Sequence, residues 1–344
     1  MKYQRVLITR PGGPEVLQIV KEELPEPRPG QVRIKTLAAG VSYADLLMRE
    51  GVHPETPRLP FTPGWDVVGV VDKLGAGVTS LEVGQMVTAL PVTGGYAEFI
   101  CLPQREAIPI PPGLDPAEAV SLIFNYLTAY QMLHRSARVQ PGQSALIHAA
   151  SGGIGTALLQ LGRLDGLQMY GTASRAKQEL VSSLGGIPID YKQGDFVEQI
   201  LRLTGDGVNI VFDGIGGTHL WRSFKSLRSG GKVIAYGFTS SLDGGRLAGG
   251  QRYAWRGMAI IGLYIVAAAL SPGNRRMMLY SIQTLKRFKP AWFQEDLTTL
   301  VDLLKQRKIK PIIAERIPLV EAARAQELLG KGSILGKIVL LSNP

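Results

Sequence analysis

Cysteine and histidine are scarce in this chain of 344 residues, which has one cysteine, Cys101, and four histidines. One thiol cannot form an intramolecular disulfide or a four-thiolate structural zinc site. The histidines show no pair at the spacing of metal ligands; they are His53, His134, His148 and His219. The composition therefore excludes a disulfide framework and predicts no histidine-rich metal site.

Long apolar runs and dense basic runs are lacking as well. The longest apolar run, 258–270, is too short to span a bilayer unaided, and the N-terminus has no apolar signal-peptide core. We therefore expect a cytoplasmic protein with no membrane span. Lys and Arg exceed Asp and Glu by 38 to 28, a net charge of +10, but these cations are scattered. That pattern argues against a nucleic-acid partner and favours attraction for small anionic ligands.

A glycine-rich stretch at 144–155, SALIHAASGGIG, is the most informative motif present. It predicts a buried strand, a tight turn and a helix from about Ile154 to Leu164. Gly152 and Gly155 fit the second and third glycines of the G-x-G-x-x-G fingerprint, with Ala150 at the first position. Such a turn lets a pyrophosphate reach the N–H groups of a helix N-terminus. Glycine turns also occur for purely structural reasons, so the motif alone is a weak signal.

The next strand, 167–172, should end at the residue that handles the cofactor ribose. No Asp or Glu follows it there; the chain instead has Ser174, Arg175 and Lys177. A hydroxyl and two cations suit a 2′-phosphate better than a free 2′-hydroxyl. The sequence therefore favours NADP(H), the alternative being ordinary surface cations at a helix start.

The order of predicted elements indicates two kinds of domain. Short strands separated by Gly and Pro up to about residue 124 predict a β-barrel-like domain. Beyond residue 144, apolar strands alternate with helices, as in a doubly wound parallel sheet. A further strand is predicted at 258–266 and long helices at 274–288 and 294–306. The strand–helix–strand tail at 315–341 is expected to rejoin the first domain.

Several ordered segments together resemble the zinc-independent quinone oxidoreductase branch of the medium-chain dehydrogenase/reductase superfamily, especially its zeta-crystallin-like and vesicle amine transport protein-like members. The segments are SYADLLMREG, PFTPGWDVVGVVDKLGAGV, GGYAEF, NYLTAYQML, HAASGGIG and ILGKIVLL. The resemblance implies an α/β fold in which a Rossmann doubly wound parallel sheet is inserted in a GroES-like β-barrel catalytic domain. The implied limits are 1–124 (catalytic), 125–268 (Rossmann, NADP(H)-binding) and 269–344 (return to the catalytic domain). Segment 258–266 matches the edge strand that joins two copies, which implies a homodimer.

The resemblance also implies the type of reaction. Gly64, Trp65 and Asp66 stand where alcohol dehydrogenases of the superfamily have a Gly-His-Glu segment that supplies zinc ligands, so no catalytic zinc is expected. We expect an NADPH-dependent quinone oxidoreductase or alkenal/enone reductase, transferring hydride to a quinone or another α,β-unsaturated carbonyl compound. The alternatives are an enoyl reductase acting on a thioester and a non-catalytic NADPH-binding protein.

Site residues are implied one by one. Those expected on the substrate side are Tyr43, Asp45, His53, Asn125 and Thr128, although Ser42 replaces the usual Asn and His53 fits an exposed loop equally well. Asn125 and Thr128 match nicotinamide-facing and substrate-facing positions, and Asn125 also suits an N-cap. Those expected to contact the cofactor are Ser151, Gly152, Gly153, Ile154, Gly155, Ser174, Arg175, Lys177, Tyr191, Gly237, Phe238 and Lys337, with Asn343 as a further candidate.

Overall fold

The computed structural model describes residues 1–243, 246–247 and 262–342. The chain divides into two units, each described here by itself. Unit 1 comprises Met1–Phe124, Leu242–Leu247 and Leu297–Pro344, and unit 2 comprises Asn125–Ser241 and Ala248–Asp296. The domain limits derived from the sequence stay a prediction.

Unit 1 is built on a mostly antiparallel sheet in which apolar residues point inward along each strand. Its strand order is β16-β17-β3-β4-β5-β7, β6 also pairs with β3, and β1 and β2 form a separate hairpin. The strand β17 from the C-terminal tail runs antiparallel to β3. The strands are β1 (Lys2–Ile8), β2 (Leu17–Glu23), β3 (Gln31–Val41), β4 (Val67–Leu74), β5 (Met86–Ala89), β6 (Phe99–Pro103), β7 (Ile108–Pro109), β16 (Ile313–Pro318) and β17 (Lys337–Leu341).

Among the described residues, three helices lie wholly within unit 1, and two of them have clear start signals. Helix α1 (Tyr43–Arg49) begins with a capping box between Ser42 and Asp45, and α2 (Pro116–Ser121) begins after Asp115, whose side chain accepts from the Glu118 N–H. Helix α11 (Ala322–Gly330) lies in the C-terminal tail.

Unit 2 is built on a parallel six-stranded sheet of order β10-β9-β8-β11-β12-β15. The strands β9 and β10 lie on one side of β8, and β11, β12 and β15 lie on the other side. The strand order therefore reverses between β8 and β11. Open α/β sheets bind ligands at such a reversal, outside the carboxyl ends of the strands. The strands are β8 (Ser144–Ile147), β9 (Gln168–Thr172), β10 (Gly186–Ile189), β11 (Val208–Asp213), β12 (Leu227–Ala235) and β15 (Arg276–Leu279); the short pair β13 (Leu242–Asp243) and β14 (Arg246–Leu247) lies outside this sheet.

Helices follow most of these strands, as a doubly wound sheet requires. They are α3 (Leu127–Gln131), flanked by π-helical turns at Leu122–Tyr126 and Met132–Ala137, then α4 (Gly153–Leu164), α5 (Gln178–Ser183), α6 (Phe196–Thr204), α7 (His219–Lys225), α8 (262–269), α9 (Ile282–Phe288) and α10 (Pro290–Lys305). No helix within the described residues is long and apolar enough to cross a membrane.

Two predicted elements are wrong. The strand predicted at 258–266 is helical from residue 262, where Tyr264 and Ile265 pack against the core of unit 2; residues 258–261 lie outside the described residues. The helix predicted at 274–288 begins only at Ile282, because Arg276–Leu279 forms the strand β15 against β12. Pairing with a neighbouring strand overrides the helical propensity of this short segment.

Candidate functional site

The turn between β8 and α4 uses its glycines in different ways. Gly152 is the N-cap of α4 and offers no side-chain acceptor to the N–H groups of the first turn. A Cβ on Gly155 would lie 2.4 Å from the carbonyl oxygen of Ala149 and 2.6 Å from Ala150 Cα, so only glycine lets the helix approach the strand this closely. This is the role of the third glycine in a dinucleotide turn. The turn therefore presents an uncapped helix N-terminus suited to a phosphate.

Asn125 and Gly153 are brought together by the fold. Asn125 is buried inside the π-helical turn Leu122–Tyr126 that precedes α3, so it is not an N-cap. A Cβ on Gly153 would lie 2.1 Å from Asn125 Nδ2. The side chain of Asn125 thus abuts the glycine turn itself. Thr128, one turn later, is also buried and lies close to Tyr280, whose hydroxyl donates to Gln131 Oε1 at 2.9 Å.

A pair of lysines lies beyond the carboxyl ends of the neighbouring strands β9 and β10. Ser174 precedes a short 3-10 turn formed by Arg175–Lys177. Burial lowers the pKa of Lys177, and the positive charge of Lys192 lowers it further. Two ammonium groups close enough to repel each other make a place that an anion stabilises. Lys192 directly follows the predicted contact Tyr191 and was not singled out from the sequence; its position just after β10, the partner strand of β9, is the signal that points to it.

Two loops at the carboxyl ends of β11 and β12 are locked together. A Cβ on Gly237 would lie 2.7 Å from the Gly214 carbonyl oxygen, and one on Gly216 would lie 2.8 Å from Phe238 Cα. The Ser240 N–H donates to the carbonyl oxygen of Ile215 at 2.9 Å. The predicted contacts Gly237 and Phe238 are therefore fixed against residues 214–217, at the end of the sheet where ligands bind.

A buried polar network supports the loop after β11. Asp213 Oδ1 accepts from the Ile215 and Gly216 N–H groups at 2.8 and 3.0 Å. Its Oδ2 accepts from Ser223 Oγ at 2.6 Å and lies 3.0 Å from His219 Nδ1. Burial opposes ionisation, but these hydrogen bonds, above all that of His219, hold the pKa of Asp213 well below its usual range. The carboxylate therefore fixes the loop and one face of α7.

His148 closes this network on the side of β8. Its Nε2 lies 3.0 Å from Ser223 Oγ and its Nδ1 lies 3.2 Å from Thr172 Oγ1. Because Ser223 donates to Asp213, we assign the imidazole proton to Nε2. Burial lowers the pKa of His148 to about 3, so the ring is neutral. Within the described part of the chain, His148, Asp213 and His219 are also the one group able to offer three metal-ligating atoms, which lie within 4.8 Å of one another.

In unit 1, Tyr43 and Asp45 make contacts within the fold. Asp45 Oδ2 accepts from the N–H and Oγ of Ser42 at 2.9 and 2.7 Å, and its Oδ1 accepts from the Gly64 N–H at 3.0 Å. Burial raises the pKa of Asp45 to about 7. The Tyr43 hydroxyl donates to the carbonyl oxygen of Leu329 at 3.0 Å. Asp45 thus ties α1 to the segment 64–66.

Lys337 lies in the same buried region. Its Nζ is 2.7 Å from Asp66 Oδ2, and both side chains are almost fully buried. The Nζ also lies 5.6 Å from the centre of the Phe124 ring. Its predicted contact with the cofactor stays a prediction, and Asn343 lies outside the described residues.

Trp65 lies between Gly64, which donates to Asp45, and Asp66, which is paired with Lys337. It belongs to an aromatic cluster. Its ring centre is 5.1 Å from that of His53 and 5.3 Å from that of Phe124. His53 Nδ1 accepts from the Glu55 N–H at 3.1 Å, and burial lowers the pKa of His53 to about 4. The predicted substrate-side residue His53 is therefore a neutral ring packed on Trp65.

Two protein-family models match the chain. The alcohol dehydrogenase GroES-like domain matches residues 28–112, and a family described as zinc-binding dehydrogenase matches residues 186–340. Both belong to the fold class predicted from the sequence, which the two sheets described above confirm.

Similar proteins cover the whole chain. Quinone oxidoreductase from Rattus norvegicus is 31% identical over 96% of this chain and 95% of its own length. Synaptic vesicle membrane protein VAT-1 homolog from Danio rerio is 31% identical over 99% of this chain and 70% of its own. Among solved structures, Escherichia coli quinone oxidoreductase complexed with NADPH superposes with a TM-score of 0.85, at 26% identity and with coverage of 98% of this chain and 99% of that one.

Proposed function

This chain belongs to the zinc-independent quinone oxidoreductase branch of the medium-chain dehydrogenase/reductase superfamily, and from that premise we propose that it is an NADPH-dependent reductase of quinones or other α,β-unsaturated carbonyl compounds. Two features together carry the proposal: the uncapped glycine turn at α4, and the cation pair Lys177 and Lys192 beyond β9 and β10. The first suits a pyrophosphate and the second suits the additional phosphate of NADPH.

The residues of unit 2 fit this cofactor. The turn Ser151–Gly155 would hold the pyrophosphate, and Ser174, Arg175, Lys177 and Lys192 would hold the 2′-phosphate, with Tyr191 beside them. Gly237 and Phe238 would border the nicotinamide, because their loop is fixed at the carboxyl end of the sheet. When bound, NADPH supplies a hydride to an electrophilic acceptor.

Besides holding NADPH, the reaction requires few catalytic groups from the protein. A quinone needs no dedicated acid or base, whereas an enone also needs a proton at its α-carbon. The protein's tasks are to hold the acceptor, exclude water and donate a hydrogen bond to the oxygen that gains charge. Of the residues predicted on the substrate side, Asn125 abuts the glycine turn and His53 belongs to the aromatic cluster. Asp45 in unit 1 and Thr128 in unit 2 are buried, and Tyr43 is partly buried.

The first experiment is a calorimetric titration of NADPH and NADH, followed by NADPH consumption with a quinone, an enone and an enoyl thioester. We expect a strong preference for NADPH, lost in the double variant Arg175→Ala/Lys177→Ala, and turnover with the quinone or enone. Turnover with the thioester alone would favour an enoyl reductase. NADPH binding without turnover of any acceptor would favour a binding protein. Equal affinity for both cofactors would contradict the proposed phosphate site.

Three further points stay predictions: the homodimer, the cytoplasmic location and the lack of a catalytic metal. For the first, residues 262–266 of the predicted strand are helical, and residues 258–261 lie outside the described residues. For the last, an indole at position 65 is not a metal ligand.

A further inference from the structure

Trp65 carries a buried hydrogen-bond donor for which the described part of the chain supplies no acceptor. Its side chain is 3% exposed, and Nε1 has no hydrogen-bond partner within the described residues. A buried N–H without an acceptor destabilises a folded protein, so native structures keep few of them and those few call for an explanation. A ligand oxygen that binds there would supply the missing acceptor.

Two aromatic rings lie beside this indole. The rings of His53 and Phe124 flank the indole, and His53 is neutral because burial disfavours its imidazolium form. The nearby cation Lys337 is already paired with the buried carboxylate of Asp66. The cluster therefore offers aromatic surface and one neutral donor, which match a planar conjugated molecule with a carbonyl oxygen.

The indole is also held firmly in place. Gly64 adopts a φ of +110°, and a Cβ there would lie 2.6 Å from the backbone nitrogen of Tyr96. The Gly64 N–H donates to Asp45, and the Trp65 carbonyl oxygen accepts from the Val92 N–H at 3.3 Å. The next residue, Asp66, is fixed by Lys337. The donor is thus preorganised rather than free to turn away.

We propose that Trp65 determines the acceptor specificity of this protein: its Nε1–H donates to the carbonyl oxygen of a planar, uncharged, conjugated acceptor such as a quinone. This inference rests on the proposed function and deepens it, because it selects planar quinone-type acceptors over flexible thioesters. It also assigns a role to Asp45 and Lys337, which act as positioning residues for the segment 64–66.

The test compares Trp65→Phe with the matched control Trp292→Phe. Trp292 lies in unit 2 beside Arg135 and Lys289 and is outside the proposed machinery. We expect kcat/KM for 2-methyl-1,4-naphthoquinone to fall about tenfold in Trp65→Phe, the size of effect expected from one lost hydrogen bond. Affinity for NADPH, measured by calorimetry, should not change. Both variants are compared at a temperature at which they are folded, because the smaller ring in Trp65→Phe leaves a cavity that lowers the Tm.

A second measurement needs neither turnover nor NADPH. In wild type and Trp292→Phe, we expect the naphthoquinone to quench tryptophan fluorescence saturably, and we expect Trp65→Phe to lose the saturable part. If Trp65→Phe does not fold, the indole N–H resonance of Trp65, assigned with Phe variants at the other three tryptophans, should shift when the quinone is added to wild type. Unchanged kcat/KM and unchanged quenching in a folded Trp65→Phe variant, or an indole resonance that does not move, would overturn the inference. Saturable quenching at Trp65 without NADPH consumption would instead reject the proposed function and leave the binding role standing.

Discussion

Asn125 Nδ2 occupies the space beside Gly153, only 2.1 Å from the point where a Cβ on that residue would lie. The glycine turn and the predicted nicotinamide-facing residue are therefore sterically coupled. In an open turn, alanine would be tolerated at position 153, but here it must displace the Asn125 side chain. The pair can be examined as a unit by a double-mutant cycle.

We expect Gly153→Ala to weaken NADPH binding markedly, because the displaced amide disturbs the turn. In an Asn125→Ala background, Gly153→Ala should reduce the affinity for NADPH less than it does in wild type. The expected coupling energy between the two substitutions is about 1 kcal/mol or more. Calorimetric titration of the four proteins measures the coupling. Additive effects would mean that Asn125 moves aside freely and does not buttress the turn.

Lys177 and Lys192, beyond β9 and β10, predict a preference for NADPH over NADH. A single substitution should reduce this preference. Removing Lys192 takes away one cation from the proposed phosphate site and also relieves the repulsion that lowers the pKa of Lys177. We expect Lys192→Ala to reduce the NADPH-to-NADH affinity ratio about tenfold while leaving NADH affinity unchanged, as expected for one charge-assisted contact. If the affinity for NADH fell as much as the affinity for NADPH, Lys192 would lie near a part of the cofactor that the two molecules share. Lys225→Ala, a surface lysine in the last turn of α7, is a suitable control.

Patterns in the sequence were sufficient to predict the features that depend on neighbouring residues. The glycine turn and the apolar parallel strands each follow from local spacing. The network of His148, Ser223 and Asp213 could not be predicted, because it joins residues 75 and 10 positions apart through the packing of α7. The same holds for the pair of Asp66 and Lys337, which are separated by 271 positions.

Propensity failed where tertiary pairing decided the outcome. Segment 276–279 contains good helix formers, yet it completes the parallel sheet beside β12. Conversely, β-branched residues near 260–266 predicted a strand, but from residue 262 the chain is helical and Tyr264 packs beside Trp221. In both segments, local preferences are small compared with the free energy of packing.

The neutral, buried His148 predicts an acid-dependent loss of stability. Its pKa is about 3 in the folded protein and about 6.5 when unfolded, so between these values only the unfolded chain binds the proton. The contribution of the neutral His148 to the free energy of unfolding is complete above pH 6.5. It is lost as the pH falls toward 3, at about 1.4 kcal/mol per pH unit. The stability advantage of wild type over His148→Asn should therefore shrink in this range, as measured by urea unfolding at several pH values. A difference that does not vary with pH would contradict a neutral buried ring.

The predicted homodimer can be tested at two places. Strand β15 pairs with β12, and its other edge has no partner strand within the described residues; Leu279 on it is 62% exposed. An exposed apolar edge favours pairing with another copy. We expect wild type to sediment as a dimer at micromolar concentration and Leu279→Lys to be monomeric. If Leu263→Lys, in the originally predicted segment, breaks the dimer instead, the interface involves α8 rather than β15; a monomeric wild type would reject the prediction altogether.

The buried pair of Asp66 and Lys337 predicts an asymmetric response to mutation. Removing only the lysine leaves a carboxylate in the interior, so Lys337→Met should lower the free energy of unfolding by about 3–5 kcal/mol at neutral pH. Burial already raises the pKa of Asp66, and loss of the lysine raises it further. A carboxyl group with a raised folded-state pKa loses stability as the pH increases from its unfolded value toward the folded one. The gap between Lys337→Met and wild type should therefore be small near pH 4 and widen toward pH 7.

Two comparisons separate this charge effect from a loss of packing. The double variant Asp66→Asn/Lys337→Met has no buried charge, so it should recover most of the lost stability and its gap to wild type should not widen with pH. Lys331→Met breaks an exposed pair with Glu327 on α11 and should change stability little at any pH. Urea unfolding of the four proteins at pH 4, 5.5 and 7 measures all of these gaps. The loss of unfolding free energy in Lys337→Met could instead be the same at every pH and no smaller in the double variant. That result would mean that the Lys337 side chain stabilises unit 1 through its alkyl chain and not through its charge.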